Sequence, residues 1–164
     1  MANARPEQRS EPWKDPGAKP YVRIDKVTKK FGEFVAVDDV SLNIYRNEIF
    51  CLLGGSGCGK TTLLRMIAGL DLPTGGEIVL DGQDITRMPT HKRNLGMVFQ
   101  SLALFPHLPV GENIAYPLRI RRKSKAEIKQ KVEAALRLVE MEKYAERPAP
   151  ALSGGQQQRV AIAR

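Results

Sequence analysis

Cysteine, histidine and aromatic residues are all scarce in this chain, and each scarcity removes a class of chemistry. The 2 cysteines, Cys51 and Cys58, form no C-x-x-C pair, and the 2 histidines, His91 and His107, stand apart from them. A metal cluster held by thiols and imidazoles is therefore not expected. Aromatics make up only 6% of the chain, and none interrupts the basic run from Arg119 to Lys131. That run reads as a solvated face before it reads as a nucleic-acid patch. No apolar stretch is long enough to span a bilayer. The first residues are polar and proline-rich rather than a secretory signal. The expectation is a cytoplasmic protein that meets a membrane only through a partner.

What is present is enough for a real core. The length of 164 residues and a hydrophobic content of 42% suit one globular domain. The net charge of +8 points to an anionic partner. There are no internal repeats. Met1 to Pro20 carries Pro6, Pro12, Pro16 and Pro20 among charged and small residues, so residues 1–20 are expected to be a disordered tail, with Trp13 its only large apolar residue.

The chain is organised around Gly54-Gly55-Ser56-Gly57-Cys58-Gly59-Lys60-Thr61-Thr62, which fits the phosphate-loop pattern G-x-x-x-x-G-K-[ST]. The apolar run Glu48–Leu53 leads in as an expected buried strand, and Thr61–Gly69 leads out as a helix. Glycines let successive backbone N–H groups turn around an anion, and the helix N-terminus adds unpaired N–H groups and positive potential. Lys60 supplies a cation for the β- and γ-phosphates of a nucleotide, and the Thr61 hydroxyl a ligand for Mg²⁺. Cys51 is expected to be a small buried hydrophobe of the leading strand.

Around that loop, Tyr21–Val27 alternates like a half-buried strand. Thr28–Gly32 reads as a turn, and Phe34–Val37 and Val40–Tyr45 as further strand. Pro73–Gly76 is a turn, Glu77–Leu80 a strand, Asp81-Gly82 a turn, and Leu95–Phe99 another strand that ends at Gln100. Pro106, Pro109 and Pro117 punctuate a loop and a short helix. Ser124 and Glu127 fit a capping box opening a helix with Ile128, Val132, Leu136 and Val139 on one face. Arg147–Pro150 breaks it, and a last helix starts after Leu152-Ser153-Gly154-Gly155-Gln156.

That last segment, with Gln157-Gln158-Arg159-Val160-Ala161-Ile162-Ala163-Arg164 behind it, resembles the signature motif of ATP-binding cassette (ABC) ATPases. The phosphate loop and Gln100 precede it in the family's order, so the resemblance spans Tyr21 to Arg164. It implies an α/β P-loop NTPase fold with an N-terminal antiparallel β-subdomain and a helical subdomain at about 101–152, incomplete at the C-terminus. It also implies ATP and Mg²⁺ as ligands. Phe31 then matches the aromatic that stacks on adenine. Gln100 matches the glutamine that contacts Mg²⁺ and couples to the membrane subunit. Ser153, Gly154, Gly155 and Gln156 match the anion site facing the nucleotide of a second ATPase subunit. Ala103–Leu108 resembles the loop of import-type cassettes that meets a transmembrane permease, with Leu102 and Pro109 departing from the common residues there. A periplasmic solute-binding protein is an indirect partner, and nucleic acid is not one. Lys19–Ile24 and Ser41–Phe50 look most like the ATP-binding subunits of putrescine and spermidine importers, which would sit on the inner face of the cell membrane.

On the same resemblance the chain stops before the Walker B aspartate, the catalytic glutamate and the switch histidine, since both of its histidines precede the signature. The expectation is therefore a fragment with no ATP turnover of its own and poor stability alone. The alternatives are a nucleotide-binding module without hydrolysis, or a soluble cassette protein acting on DNA or ribosomes.

Overall fold

A computed structural model describes residues 12–14 and 17–164. Most of the expected tail lies outside the described residues. Pro12–Lys14 forms a 3-10 turn, with Trp13 exposed. The chain divides into two compact units, Met1–Gly96 and Met97–Arg164.

The first unit is built on an antiparallel sheet. Strands β1 (Val22–Phe31), β2 (Phe34–Ile44), β3 (Gly75–Leu80) and β4 (Gln83–Asp84) lie in the order β2-β1-β3-β4. Strict alternation along β1 would carry Val22 and Ile24 inward and then Lys26. A bulge prevents this. Lys26 takes φ 48°, and the register moves by one residue against both β2 and β3. Val27 therefore faces the core, fully buried, and the lysine does not.

Because the strand continues past its bulge, the turn expected at Thr28–Gly32 shrinks to Gly32-Glu33 between β1 and β2. Asp81 and Gly82, both at positive φ, make the expected tight turn from β3 to β4. Helix α1 (Lys60–Ala68) presents Leu63 and Met66, one turn apart, to a core with Val22, Ile24, Val27, Val37, Ile78 and Ile85.

Two strands expected from apolar runs do not form. Glu48–Leu53 and Leu95–Phe99 have no strand ladder, and Ile49 and Leu53 are 91% and 92% exposed. An apolar run becomes a strand only when a neighbour accepts and donates its backbone hydrogen bonds, and no strand lies beside either segment among the described residues. Cys51 is accordingly exposed rather than buried.

The second unit is helical, with α2 (Val110–Ile120), α3 (Lys125–Leu138) and α4 (Gly154–Ala163). They close on Val110, Ile114, Leu136, Met141, Leu152 and Val160. The capping box expected at the start of α3 is only half formed. The Ser124 Oγ accepts from the Glu127 N–H at 3.2 Å, but the Glu127 carboxylate does not return to the cap. It sits between Lys123 at 3.2 Å and Lys131 at 3.0 Å. Those hydrogen bonds, that from Lys131 first, hold it below the usual carboxylate range.

Candidate functional site

The loop before α1 wraps around a cation. Lys60 Nζ donates to the carbonyls of Gly54 at 2.8 Å and Gly55 at 2.6 Å, and to Cys58 Sγ at 3.3 Å. The hydrogen bond from Lys60 holds the Cys58 thiol below its ordinary range. Gly59, at φ 87°, caps the helix. A Cβ there would run into the Ala36 carbonyl of β2, so only glycine lets the turn seat on the sheet. Its carbonyl accepts from the Leu63 N–H at 2.9 Å. The N–H groups of Lys60, Thr61 and Thr62, one turn earlier, have no backbone acceptor among the described residues. Orphaned donors at a helix start, beside an ammonium, are an anion site in chemical terms.

A groove of about 190 Å³ joins this loop to an aromatic residue. Phe31, Phe34 and Ala36 form one side, and Gly57 to Thr62 the other. Phe31 ends β1, 51% exposed, with the Lys29 ammonium 4.9 Å from its ring centroid. An exposed ring beside an anion site suits a ligand with a flat apolar part and a polyanionic tail. A divalent cation fits less completely. Thr61 is exposed beside the loop, but no three His, Cys, Asp or Glu side chains gather as a metal site among the described residues. Mg²⁺ held here would draw most of its ligands from phosphate and water.

The second unit has its own helix-start site. Ser153 caps α4 with a complete capping box: its N–H donates to Gln156 Oε1 at 2.9 Å, and its Oγ accepts from the Gln156 N–H at 3.4 Å. Gln157 Nε2 fastens the turn to the carbonyls of Ala149 and Leu152, both at 3.2 Å. Gly154 and Gly155 are exposed, and a Cβ on either would meet nothing within 4 Å. Glycine costs about 1 kcal/mol relative to alanine in a helix, and nothing in the packing of the described residues requires it here. The bare backbone leaves room for close approach from outside.

Gln100 lies exposed in the turn before Leu102 and Ala103, which both take positive φ. The segment after it is fastened from α2. The buried Asn113 accepts from the Phe105 N–H at 2.8 Å and donates to the carbonyls of Phe105, Leu108 and Pro109 at 3.1, 3.0 and 3.2 Å. The Phe105 and Tyr116 rings meet at a tilt with centroids 4.5 Å apart, and the Arg164 guanidinium lies 4.3 Å from the Phe105 ring centroid. Phe31 and the phosphate-type loop thus share one groove, whereas Gln100 and the Ser153 turn belong to the other unit.

Residues 37–164 match the family model described as ABC transporter. The chain belongs to the ABC transporter family. The spermidine/putrescine import ATP-binding protein PotA of Nitrosomonas europaea is 57% identical over 143 residues, which is 87% of this chain and 40% of that protein. The sulfate/thiosulfate import ATP-binding protein CysA of Gloeobacter violaceus is 54% identical, with 87% and 42% covered. The Fe(3+) ions import ATP-binding protein FbpC 1 of Pectobacterium atrosepticum is 50% identical, with 89% and 42% covered. The chain therefore spans about two fifths of the length of these relatives. Among solved structures, the ATP-binding cassette MJ0796 in a dimeric post-hydrolysis state bound to ADP and Pi superposes with a TM-score of 0.77 at 38% identity, covering 87% of this chain and 67% of that one.

Three residues that position these segments in the ABC chain escaped the sequence reading. Asn113 falls three residues after Val110 and one before Ile114, on the buried face of α2, and a lone polar residue at an apolar position was the available signal. Gln157 is named within the motif, but its role in fastening the turn has no sequence signal. Arg93, 2% exposed, is buried behind α1, and no local pattern marks an arginine whose partners are carbonyls.

Proposed function

We propose that this chain forms the nucleotide-binding part of an ABC import ATPase subunit. The observation that carries the reading is the groove placing Phe31 beside the orphaned N–H groups of the Lys60 turn. Adenine stacks on Phe31. The phosphates lie against Gly54, Gly55, Ser56, Gly57, Cys58, Gly59, Lys60, Thr61 and Thr62. Thr61 of the first unit and Gln100 of the second are each offered as a ligand for Mg²⁺, which would supply charge neutralisation to the phosphates. Ser153, Gly154, Gly155 and Gln156 offer a second anion site, which suits a nucleotide held by another ATPase subunit across a dimer.

The Asn113-fastened loop after Gln100 is the surface for transmembrane permease subunits. Through them the protein works at the inner face of the cell membrane, served indirectly by a periplasmic solute-binding protein. The solute proposed is a polyamine, on the likeness to the spermidine/putrescine import protein. Relatives named for sulfate and iron import match over the same part of the chain.

The test is equilibrium titration with a fluorescent ATP analogue. Lys60→Ala removes charge-assisted hydrogen bonds of roughly 1.5–3 kcal/mol each, so affinity falls at least about tenfold. Phe31→Ala costs about 0.5–1.5 kcal/mol for adenine nucleotides while inorganic tripolyphosphate binds as before. Unchanged ATP affinity in both variants would remove the site assignment.

A further inference from the structure

The corner between α2 and α3 concentrates most of the protein's net positive charge. From Arg119 to Lys131 there are seven basic residues against one acid, Glu127, a net +6 of the chain's +8. All residues from Arg119 to Ala126 are exposed, as are Lys129 and Lys131. Arg119 pairs with Glu112 at 2.6 Å, and Lys123 and Lys131 share Glu127. Arg121, Arg122, Lys125 and Lys129 form no ion pair with any described residue.

One further observation separates this corner from an ordinary solvated face. Ile120, an apolar residue between Arg119 and Arg121 in the chain, stands 67% exposed. Arg122 takes the left-handed turn position after α2 at φ 54°, where glycine would be unstrained. No aromatic residue lies between Arg119 and Lys131, so there is no platform on which nucleic-acid bases would stack.

We propose that the α2–α3 corner docks directly on an anionic phospholipid surface, with Arg121, Arg122, Lys125 and Lys129 against lipid phosphates and Ile120 in the headgroup region. Clustered cations of this number are drawn to an anionic leaflet, and a single apolar side chain adds a shallow anchor. The contact is independent of the nucleotide reading, because it uses none of the residues in the groove or the Ser153 turn.

Vesicle co-sedimentation of the full chain tests it, with vesicles of phosphatidylcholine alone and with 30% phosphatidylglycerol (about one anionic lipid in three). Binding is expected only to the anionic vesicles and is expected to vanish in 0.5 M salt. Each cation near the surface is worth roughly fivefold in partitioning, so Arg121→Gln with Arg122→Gly weakens binding about 25-fold. Glycine suits the left-handed position, and the melting temperature should be retained. Glu127→Gln releases Lys123 and Lys131 and strengthens binding. Equal binding to both vesicle types, full binding by the double variant, or tighter binding to a double-stranded oligonucleotide than to the anionic vesicles would overturn the proposal.

Discussion

Removing the Arg93 side chain should loosen the helix that carries the phosphate-type loop. Its guanidinium is nearly enclosed and bonds only to carbonyls: Met66 at 2.7 Å and Ile67 at 2.9 Å in the last turn of α1, Met88 at 2.7 Å and Thr86 at 3.1 Å from the following segment. A cation at a helix C-terminus satisfies carbonyls that the helix leaves unpaired and complements its dipole. Burial pulls the arginine below its ordinary range, with the Asp84 charge opposing. Arg93→Ala would strand the Ile67, Met88 and Thr86 carbonyls, since that of Met66 also accepts from the Gly69 N–H at 3.1 Å; at about 1–3 kcal/mol each, less whatever water recovers in the space left behind, the total is about 3–4 kcal/mol. At roughly 2–4 °C per kcal/mol for a protein of this size, the melting temperature should fall by about 10 °C. Arg93→Lys should fall between, because one ammonium cannot reach all these carbonyls. Gly69→Ala places a Cβ against the same guanidinium at a residue with φ 78°. Its clash disappears once the arginine is gone, so the double variant should be less destabilised than the sum of the singles. Circular-dichroism melts of the parent and the variants read all of this. An Arg93→Ala melt within 2 °C of the parent would refute the reasoning.

Asn113→Ala should cost about 2–4 kcal/mol, since it orphans the Phe105 N–H and the Leu108 carbonyl; proteolysis in the segment after Gln100 should accelerate, and an unchanged cleavage rate would count against it. Cys58 should react with a maleimide at lower pH than an ordinary thiol, and Lys60→Ala should move that reactivity to higher pH. Asp71 is held below its usual range chiefly by the hydrogen bond from Arg65, at 2.6 Å. The folded pKa is thus the lower one, and the stabilisation is complete above about pH 3.8. It is lost as pH falls through the folded value, so Asp71→Asn should narrow the gap in urea midpoint between pH 6 and pH 3.

Much of this was legible in the sequence because local rules and tertiary structure agree. The glycines and lysine of the phosphate-type loop, the Asp81-Gly82 turn, the Ser124 cap and the apolar face of α3 each follow from backbone or periodic constraints a few residues long. The failures share a different cause. Apolar composition suggested strands at Glu48–Leu53 and Leu95–Phe99, but a strand is a relation between segments, and no partner lies beside them among the described residues. The Lys26 bulge was invisible because its driving force, keeping a lysine out of the core while admitting Val27, appears only once β1 is paired on both sides. Glu127 matched the capping pattern, yet two lysines on the adjacent turns outbid the cap for its carboxylate.

The irregularity of β2 has a consequence for solubility. β2 lies at the border of the sheet, and a long flat border strand is a template on which another chain can continue pairing. Here the strand is broken by register shifts on both sides of Asp38-Asp39, with Asp39 at φ 46° and both carboxylates exposed. An incoming strand would meet a kinked row of hydrogen-bonding groups and two negative charges at its midpoint. The hairpin that seats Gly59 thereby resists becoming the seed of an intermolecular sheet, although apolar residues such as Phe34 and Val35 are exposed along it.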